Sequence, residues 1–162
     1  MRFGEVKNRP VVSVAGAEKL GFIDDLLLDT AAHQVVGFRV RQGGLITHRE
    51  ALLLHDVKAI GLDAVTIEDP SKLNADQKFL ELHDSMTGNR VIGSRVMTEN
   101  GANLGNVSDI DADFATGQVL GYALVSGLMD RLRRQDEMVP VAAVKSIGDN
   151  LVVVGNEFTP AP

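Results

Sequence analysis

The sequence predicts an all-β protein made of two tandem small antiparallel β-barrels that are joined by a short α-helix. The first observation is a repeat: the 21 residues from Leu20 to Val40 recur 84 residues later as Leu104 to Leu124. The second is that each copy contains five or six short apolar runs separated by turn residues. The third is length, because 162 residues divide into two units of about 70 residues, the size of a small barrel.

Eight of the 21 aligned positions are identical, which indicates a duplicated domain. A unit of about 70 residues is marginal alone, so the two copies are expected to pack on each other, on a partner or on a second chain. The identical pairs are Leu20/Leu104, Gly21/Gly105, Asp25/Asp109, Asp29/Asp113, Ala31/Ala115, Gln34/Gln118, Val35/Val119 and Gly37/Gly121.

The first copy contains six predicted strands, and their short β-branched runs are typical of a small barrel or sandwich. In the third run, alternation predicts that Val36, Phe38 and Val40 face the core and that Val35, Gly37, Arg39 and Arg41 face outward. The predicted strands are Val11 to Val14, Phe22 to Leu28, Val35 to Arg41, Ala51 to Leu54, Val57 to Ile60 and Ala64 to Glu68.

A short amphipathic helix is predicted between the copies, from Ser71 to Ser85. Pro70 ends the last strand, and Asn74 followed three positions later by Gln77 is typical of a helix N-cap. Apolar residues then recur at helical spacing, which predicts one face packed on a barrel. The predicted units are residues 1–69, a linker at 70–86, residues 87–157 and a tail at 158–162.

The second copy repeats this order of strands. VKAIG at Val57 to Gly61 recurs as VKSIG at Val144 to Gly148, at an offset of 87, so copy two carries three extra residues. These fall in the loop from Ser126 to Glu137. The predicted strands are Arg95 to Met97, Val107 to Ala112, Val119 to Val125, Met138 to Val141, Val144 to Ile147 and Leu151 to Val154.

Two strands of the second copy have lost the polar outer face of their counterparts. Arg39 and Arg41 of copy one correspond to Ala123 and Val125, and Thr66 corresponds to Val153. Strands with apolar residues on both faces are normally covered on both. The sequence therefore predicts an interface, with the other barrel, a second subunit or a foreign partner, formed by Val119, Ala123, Val125, Leu151 and Val153.

Composition limits the classes of function. The net charge of −6 argues against a protein that coats nucleic acid through its overall field. The absence of cysteine excludes disulfides, thiolate zinc sites and a cysteine nucleophile. No apolar run approaches 18 residues and the N-terminus lacks a signal-like apolar stretch, so a cytoplasmic protein without an integral membrane segment is expected.

The order of elements resembles the PRC-barrel domain. The residues that carry the resemblance are Leu104-Gly105, Val119 to Gly121 and Val139-Pro140-Val141, whereas copy one has Leu53 in place of the proline. The resemblance covers about Arg2 to Asp69 and about Met86 to Glu157. The family is named after the H subunit of photosynthetic reaction centres, and the domain is also similar to the C-terminal half of a ribosome maturation factor. The resemblance implies an adaptor or assembly module without a shared catalytic residue.

Candidate chemical motifs are incomplete. Asp109, Asp111 and Asp113 resemble the start of a calcium loop, but Phe114 stands where glycine is needed and no glutamate follows six residues later. The histidines, His33, His48, His55 and His83, show no metal-binding spacing. There is no nucleophile elbow and no phosphate-binding loop. The sequence therefore predicts no catalytic residue, no metal site and no cofactor.

One cluster of positive charge contrasts with the net negative charge of the chain: Arg131, Arg133 and Arg134 lie in the extra loop of copy two. Arginine suits phosphate or carboxylate, although Asp130, Asp136 and Glu137 lie close enough in sequence to pair with it.

The leading expectation is a non-catalytic module that acts through protein–protein contact, as an adaptor, an assembly factor or a homo-oligomer, most simply a dimer. The alternative is a ribosome- or RNA-linked assembly factor that uses the arginine loop, a hypothesis weakened by the scarcity of aromatic residues for base stacking. Peripheral membrane attachment is a third hypothesis, which depends on the reaction-centre resemblance alone.

Overall fold

In the computed structural model, each copy of the repeat forms one sheet, which confirms the expected all-β fold with two tandem barrel-like units. The structure describes residues 1–43, 48–74, 88–127 and 137–158. Among these residues, the helices are single turns and none is long and apolar enough to cross a membrane.

The first copy begins with a one-turn helix, α1 (Phe3–Val6), and continues as a seven-stranded sheet. The spatial order of the strands is β5-β6-β1-β2-β3-β4-β7. A 3-10 turn at Leu54–Asp56 turns the chain from β4 into β5. The strands are β1 (Pro10–Ser13), β2 (Glu18–Asp29), β3 (Gln34–Gln42), β4 (His48–Leu53), β5 (Val57–Ile60), β6 (Val65–Ile67) and β7 (Leu73–Asn74).

The second copy begins with its own one-turn helix, α2 (Gly88–Val91), and forms a six-stranded sheet in the order β11-β10-β9-β8-β13-β12. This order matches that of copy one, and all twelve predicted strands are present in the two sheets. The strands are β8 (Arg95–Thr98), β9 (Asn103–Ala112), β10 (Val119–Val125), β11 (Glu137–Pro140), β12 (Val144–Gly148) and β13 (Leu151–Val154).

Among the described strands, each sheet contains one parallel pair, which the antiparallel prediction did not include. Strand β1 pairs in parallel with β6, and β8 pairs in parallel with β13. The reason is the connection: after β4 or β11 the chain passes through a 3-10 turn into a short strand and then returns beside the first strand of its copy. The other strand pairs are antiparallel.

A β-bulge changes which residues of β3 face the core. Leu27 pairs with Gly37 and Leu28 with Val35, so Val36 is an extra residue on β3. An extra residue shifts the alternation by one position. The prediction that Val36 faces the core and Val35 faces outward is therefore wrong: Val35 is buried in the main core, whereas Val36 is half-buried on the opposite face.

The same bulge recurs in the second copy and corrects the predicted orientation of Val119. Ala112 pairs with Val119 and Asp111 with Gly121, so Leu120 is the extra residue. Val119 consequently lies in the main core, and Leu120 is 47% exposed. Ala123 and Val125, which follow the bulge, are also buried.

The predicted linker helix does not begin at Ser71. Pro70–Lys72 form a 3-10 turn, in which the Ser71 N–H donates to the Asp69 carboxylate at 2.8 Å. Leu73 then pairs with Leu52, so β7 extends the sheet of copy one at β4. The rest of the predicted helix, residues 75–85, lies outside the described residues.

The buried apolar residues of the two copies form one continuous core rather than two separate ones. Phe38 of copy one and Tyr122 of copy two are both buried in this core. Of the three expected alternatives, packing of the copies on each other is therefore the one that the structure shows.

Candidate functional site

The two copies meet at the turns that precede β3 and β10, where they exchange equivalent hydrogen bonds. The Val35 N–H donates to the Gly117 carbonyl at 2.7 Å, and the Val119 N–H donates to the His33 carbonyl at 3.0 Å. Val35 and Val119 are aligned in the repeat, and so are His33 and Gly117. Each copy therefore uses the same two positions to bind the other.

Gln34 and Gln118, also aligned in the repeat, lie between these two hydrogen bonds and pair with each other as an antiparallel bridge. A contact in which position i meets position j and j meets i is the mark of twofold symmetry. The copies are thus related by an approximate twofold axis that passes beside the two glutamines. We call this contact region, residues 33–35 and 117–119, the junction.

A second pair of reciprocal contacts joins each one-turn helix to an aspartate of the other copy. The Gly4 N–H of α1 lies 3.1 Å from the Asp109 Oδ1 atom, and the Asn89 N–H of α2 lies 2.9 Å from the Asp25 Oδ1 atom. Each aspartate also accepts the N–H of the residue that follows it, at 2.8 Å. The two identical aspartates of the repeat therefore fix the helices across the twofold axis.

The two aspartates differ in their surroundings. Asp25 is completely buried and its Oδ2 atom lies 3.4 Å from the Arg39 guanidinium, which also lies 3.3 Å from Asp24. Arg39, predicted as part of an outer polar face, is thus an ion-pair partner. In copy two, the positions of Asp24 and Arg39 are Ser108 and Ala123. Copy two therefore lacks both Arg39 and its partner Asp24, while it retains the second aspartate as Asp109. The joint loss of Arg39 and Asp24 explains the apolar outer face of copy two at this point.

Aromatic side chains pack across the junction on both sides of the axis. On one side, the His33 Nδ1 atom lies 2.9 Å from the Tyr122 hydroxyl. Burial lowers the pKa of His33, an effect that the nearby Asp29 carboxylate partly opposes, and burial raises the pKa of Tyr122. On the other side, the rings of Phe38 and Phe114 pack with their centroids 5.6 Å apart.

A groove of 690 Å³ opens beside the junction on the side of Phe114. Copy one contributes Leu54 and the whole of strand β5, and copy two contributes residues 112–115 and Leu120. Met1 also lines it. We call this cavity the junction groove. Its volume is that of a site for a small molecule or a short peptide segment, and nine of its eleven lining residues are of apolar type, the other two being Lys58 and Asp113.

The repeat shows that this side of the junction is more apolar than its symmetric counterpart. Where the junction groove has Leu54, Ala59, Phe114 and Leu120, the aligned positions on the other side hold smaller or more polar residues. These counterparts are Val141, Ser146, Thr30 and Val36. The two sides therefore differ at these four positions, whereas Val57, Lys58, Ile60, Asp113 and Ala115 have identical counterparts and Ala112 corresponds to the larger Leu28.

The predicted interface residues do not lie on one surface. Val119 is in the core, and Ala123 and Val125 are buried within the single chain. Leu151 is 36% exposed and Val153 half-buried on β13, which keeps them accessible at a surface. Whether these residues contact another chain stays a prediction.

The arginines of the basic loop, Arg131, Arg133 and Arg134, lie outside the described residues.

The aspartates that resemble a calcium loop are directed at protein N–H groups. Asp109 binds Gly4, the Asp111 carboxylate lies 3.0 Å from the Met1 amino group, and Asp113 accepts the Ala115 N–H at 2.9 Å. Within the described ranges, no cluster of three acidic or histidine side chains is arranged to hold a metal. His48 begins β4, His55 lies beside Asp56 in a 3-10 turn, and His83 is outside the described residues.

Sequence reasoning missed the junction, although its signal was present. In the sequence, the shared aspartate and glutamine positions indicate only a duplicated domain, whereas in the structure Asp25, Asp109, Gln34 and Gln118 make the reciprocal contacts between copies. Polar residues that are identical in both halves of a diverged repeat are expected where the halves touch. The junction groove gave no such signal, because its residues come from three separate segments.

Comparison with known proteins identifies the repeated unit. The family model described as PRC-barrel domain matches residues 1–74 and again residues 83–158. No curated protein matches the chain. The two matches coincide with the two sheets and together cover most of the 162 residues. The chain therefore belongs to the PRC-barrel family, and it contains two copies of the domain in tandem.

Proposed function

We propose that this protein is a non-catalytic adaptor or assembly module that acts in the cytoplasm by binding another protein. The observation that supports the proposal most directly is the junction groove. The two barrels are already held together by reciprocal contacts within one chain, so the apolar groove beside them is available for a further contact. Leu120, which lines the groove, is 47% exposed.

An exposed apolar side chain in a concave site is typical of an interaction surface. A groove on a rigid scaffold also binds with little ordering cost, which favours affinity. The junction supplies such a scaffold, because backbone hydrogen bonds, two aspartate contacts and a shared core fix one copy against the other.

Affinity capture tests this proposal. The wild-type protein is compared with Leu120→Asp and with Val14→Asp, a matched control in which the substituted side chain is also 47% exposed but does not line the groove. Proteins retained by wild type and control, but not by Leu120→Asp, support a function at the groove. Equal recovery with all three proteins would refute it.

The same experiment with nuclease separates the protein-binding proposal from the RNA-linked alternative. If nuclease or an Arg131/Arg133/Arg134→Ala variant removes all partners while Leu120→Asp removes none, the alternative is correct. Self-association, which the sequence also predicts, is tested by light scattering, with Leu151 and Val153 as the partly accessible apolar positions to substitute.

A further inference from the structure

We propose that the junction groove binds an extended segment of a partner protein, which adds as a strand to the free edge of β5. This inference rests on the proposed function and specifies its mode of recognition. Strand β5 is the terminal strand of its sheet, with β6 on one side only. Among the described residues, no strand pairs with the other side of β5.

The lining of the groove shows that it follows the edge of β5 rather than one face. Successive residues of a strand point to opposite faces, so a pocket on one face touches every second residue. All four residues of β5, Val57, Lys58, Ala59 and Ile60, line this groove. Lys58 is the extra residue of a β-bulge, because Val57 pairs with Ile67 and Ala59 with Thr66, but Ala59 and Ile60 follow the bulge in regular register and point to opposite faces. The groove therefore passes along the backbone edge, where the unpaired N–H and C=O groups of an edge strand are located.

The opposite wall of the groove suits the side chains of an incoming strand. Phe114 and Leu120 of copy two line the groove together with Leu54 and Ile60 of copy one. In strand addition, backbone hydrogen bonds supply affinity and pockets for alternate side chains supply specificity. A segment bound to β5 would thus place every second side chain against this apolar wall.

Lys58 indicates the charge of the partner. It lies in the middle of β5 and pairs with Glu68 at 2.8 Å, and both side chains are more than half exposed. An exposed ion pair contributes little to stability, so a carboxylate on the incoming segment can replace Glu68 at small cost. The exposed Asp113 also lines the groove, so an acidic residue of the partner is favoured at Lys58 and disfavoured at the wall of copy two. The partner chemistry is therefore an extended segment with apolar residues at alternate positions and Asp or Glu where it meets Lys58.

The symmetric edge strand supplies a matched control. Strand β12 is also terminal in its sheet and carries Lys145 where β5 carries Lys58. Its wall, however, has Thr30 at the position of Phe114 and Val36 at that of Leu120. If strand addition alone decided binding, both edges would serve, whereas the apolar wall predicts that only the β5 side does.

The experiment selects ligands from a display library of random seven-residue segments on the full-length protein and then measures binding of the enriched peptide. The expected peptides have apolar residues at alternate positions with an acidic residue between them. Because Leu120 is 47% exposed, a partner can cover only about half of a leucine side chain there, so Leu120→Asp should weaken binding by at least about threefold to tenfold. Val14→Asp should leave it within about twofold, since surface substitutions are nearly neutral.

Two further measurements test the mode of binding. Methylation of peptide amides at alternate positions blocks one hydrogen-bonding edge, so one of the two methylation registers should abolish binding and the other should not. Lys58→Glu should weaken the acidic peptide by about twofold to fivefold, whereas Lys145→Glu should have no effect, as expected for an exposed charge pair.

Three outcomes would overturn strand addition. These are no enrichment, apolar residues at helical spacing, and equal effects of both methylation registers. A concentration-dependent dimer that Leu120→Asp abolishes would show instead that a second copy of the chain occupies the groove. If the peptide results fail but Leu120→Asp still loses captured proteins, the mode of binding is wrong and the proposed function stands.

Discussion

Substitution of Gly117 by alanine is the sharpest test of the junction. Gly117 has φ +83, a left-handed conformation that costs a residue with a Cβ atom about 1–2 kcal/mol. A Cβ atom at this position would lie 2.6 Å from the Val35 carbonyl oxygen and 2.5 Å from the Gln34 side chain. The turn must therefore move away from copy one.

This movement strains the two backbone hydrogen bonds that cross the junction, each of which contributes about 1 kcal/mol. The expected loss in free energy of unfolding is therefore about 3–4 kcal/mol for Gly117→Ala. Gly101 is the control, because it has φ +86 and a Cβ atom there meets nothing within 4 Å. Gly101→Ala should lose only the conformational part, about 1–2 kcal/mol.

Equilibrium unfolding in urea, followed by circular dichroism and by tyrosine fluorescence, measures both losses. The fluorescence signal is specific for the junction, because Tyr122 is the single tyrosine of the chain and there is no tryptophan. Equal destabilisation by Gly117→Ala and Gly101→Ala, within about 0.5 kcal/mol, would refute the view that Gly117 is required for the contact between copies.

Two other substitutions test the polar contacts. Asp25→Asn should lower the free energy of unfolding by about 3–5 kcal/mol, because it breaks a buried ion pair. Asp109→Asn, at a partly exposed site, should lower it by about 1 kcal/mol. Similar losses for the two variants in urea unfolding would contradict this ranking. Because the pKa of His33 is lowered in the folded protein, the unfolded chain binds the proton more readily than the folded one. The stability that the neutral His33 side chain contributes is therefore complete above pH about 6.5 and is lost as the pH falls below that value. Wild type should therefore lose stability relative to His33→Asn between pH 7.5 and 5.5, and parallel pH profiles would exclude the effect.

Most of the strand order could be predicted because period-two patterns and turn residues are local. Val57–Ile60 and Val119–Val125, for example, form strands with the predicted bounds. The faces could be predicted less well. Val36 and Leu120 are bulge residues, and nothing in an apolar run marks the one residue that has no partner.

The junction groove could not be predicted for a different reason. Its walls combine the edge of β5 with the turn after β9, segments separated by about 50 residues, and only the approximate twofold axis brings Ile60 and Phe114 together. Comparison of aligned positions within the repeat did locate the divergence between Arg39 and Ala123. The structure shows that this difference reflects loss of an ion pair with Asp24 and Asp25.

The covalent link between the copies determines the stoichiometry of any complex at the groove. Two separate chains related by a true twofold axis would offer identical sites on both sides and would dissociate on dilution. In this chain, the tether makes the contact between copies unimolecular and independent of concentration. One chain also carries one groove lined by Phe114, so we expect a complex of one chain with one partner segment. Because the two copies need not associate first, dilution of the PRC-barrel protein should not remove the groove.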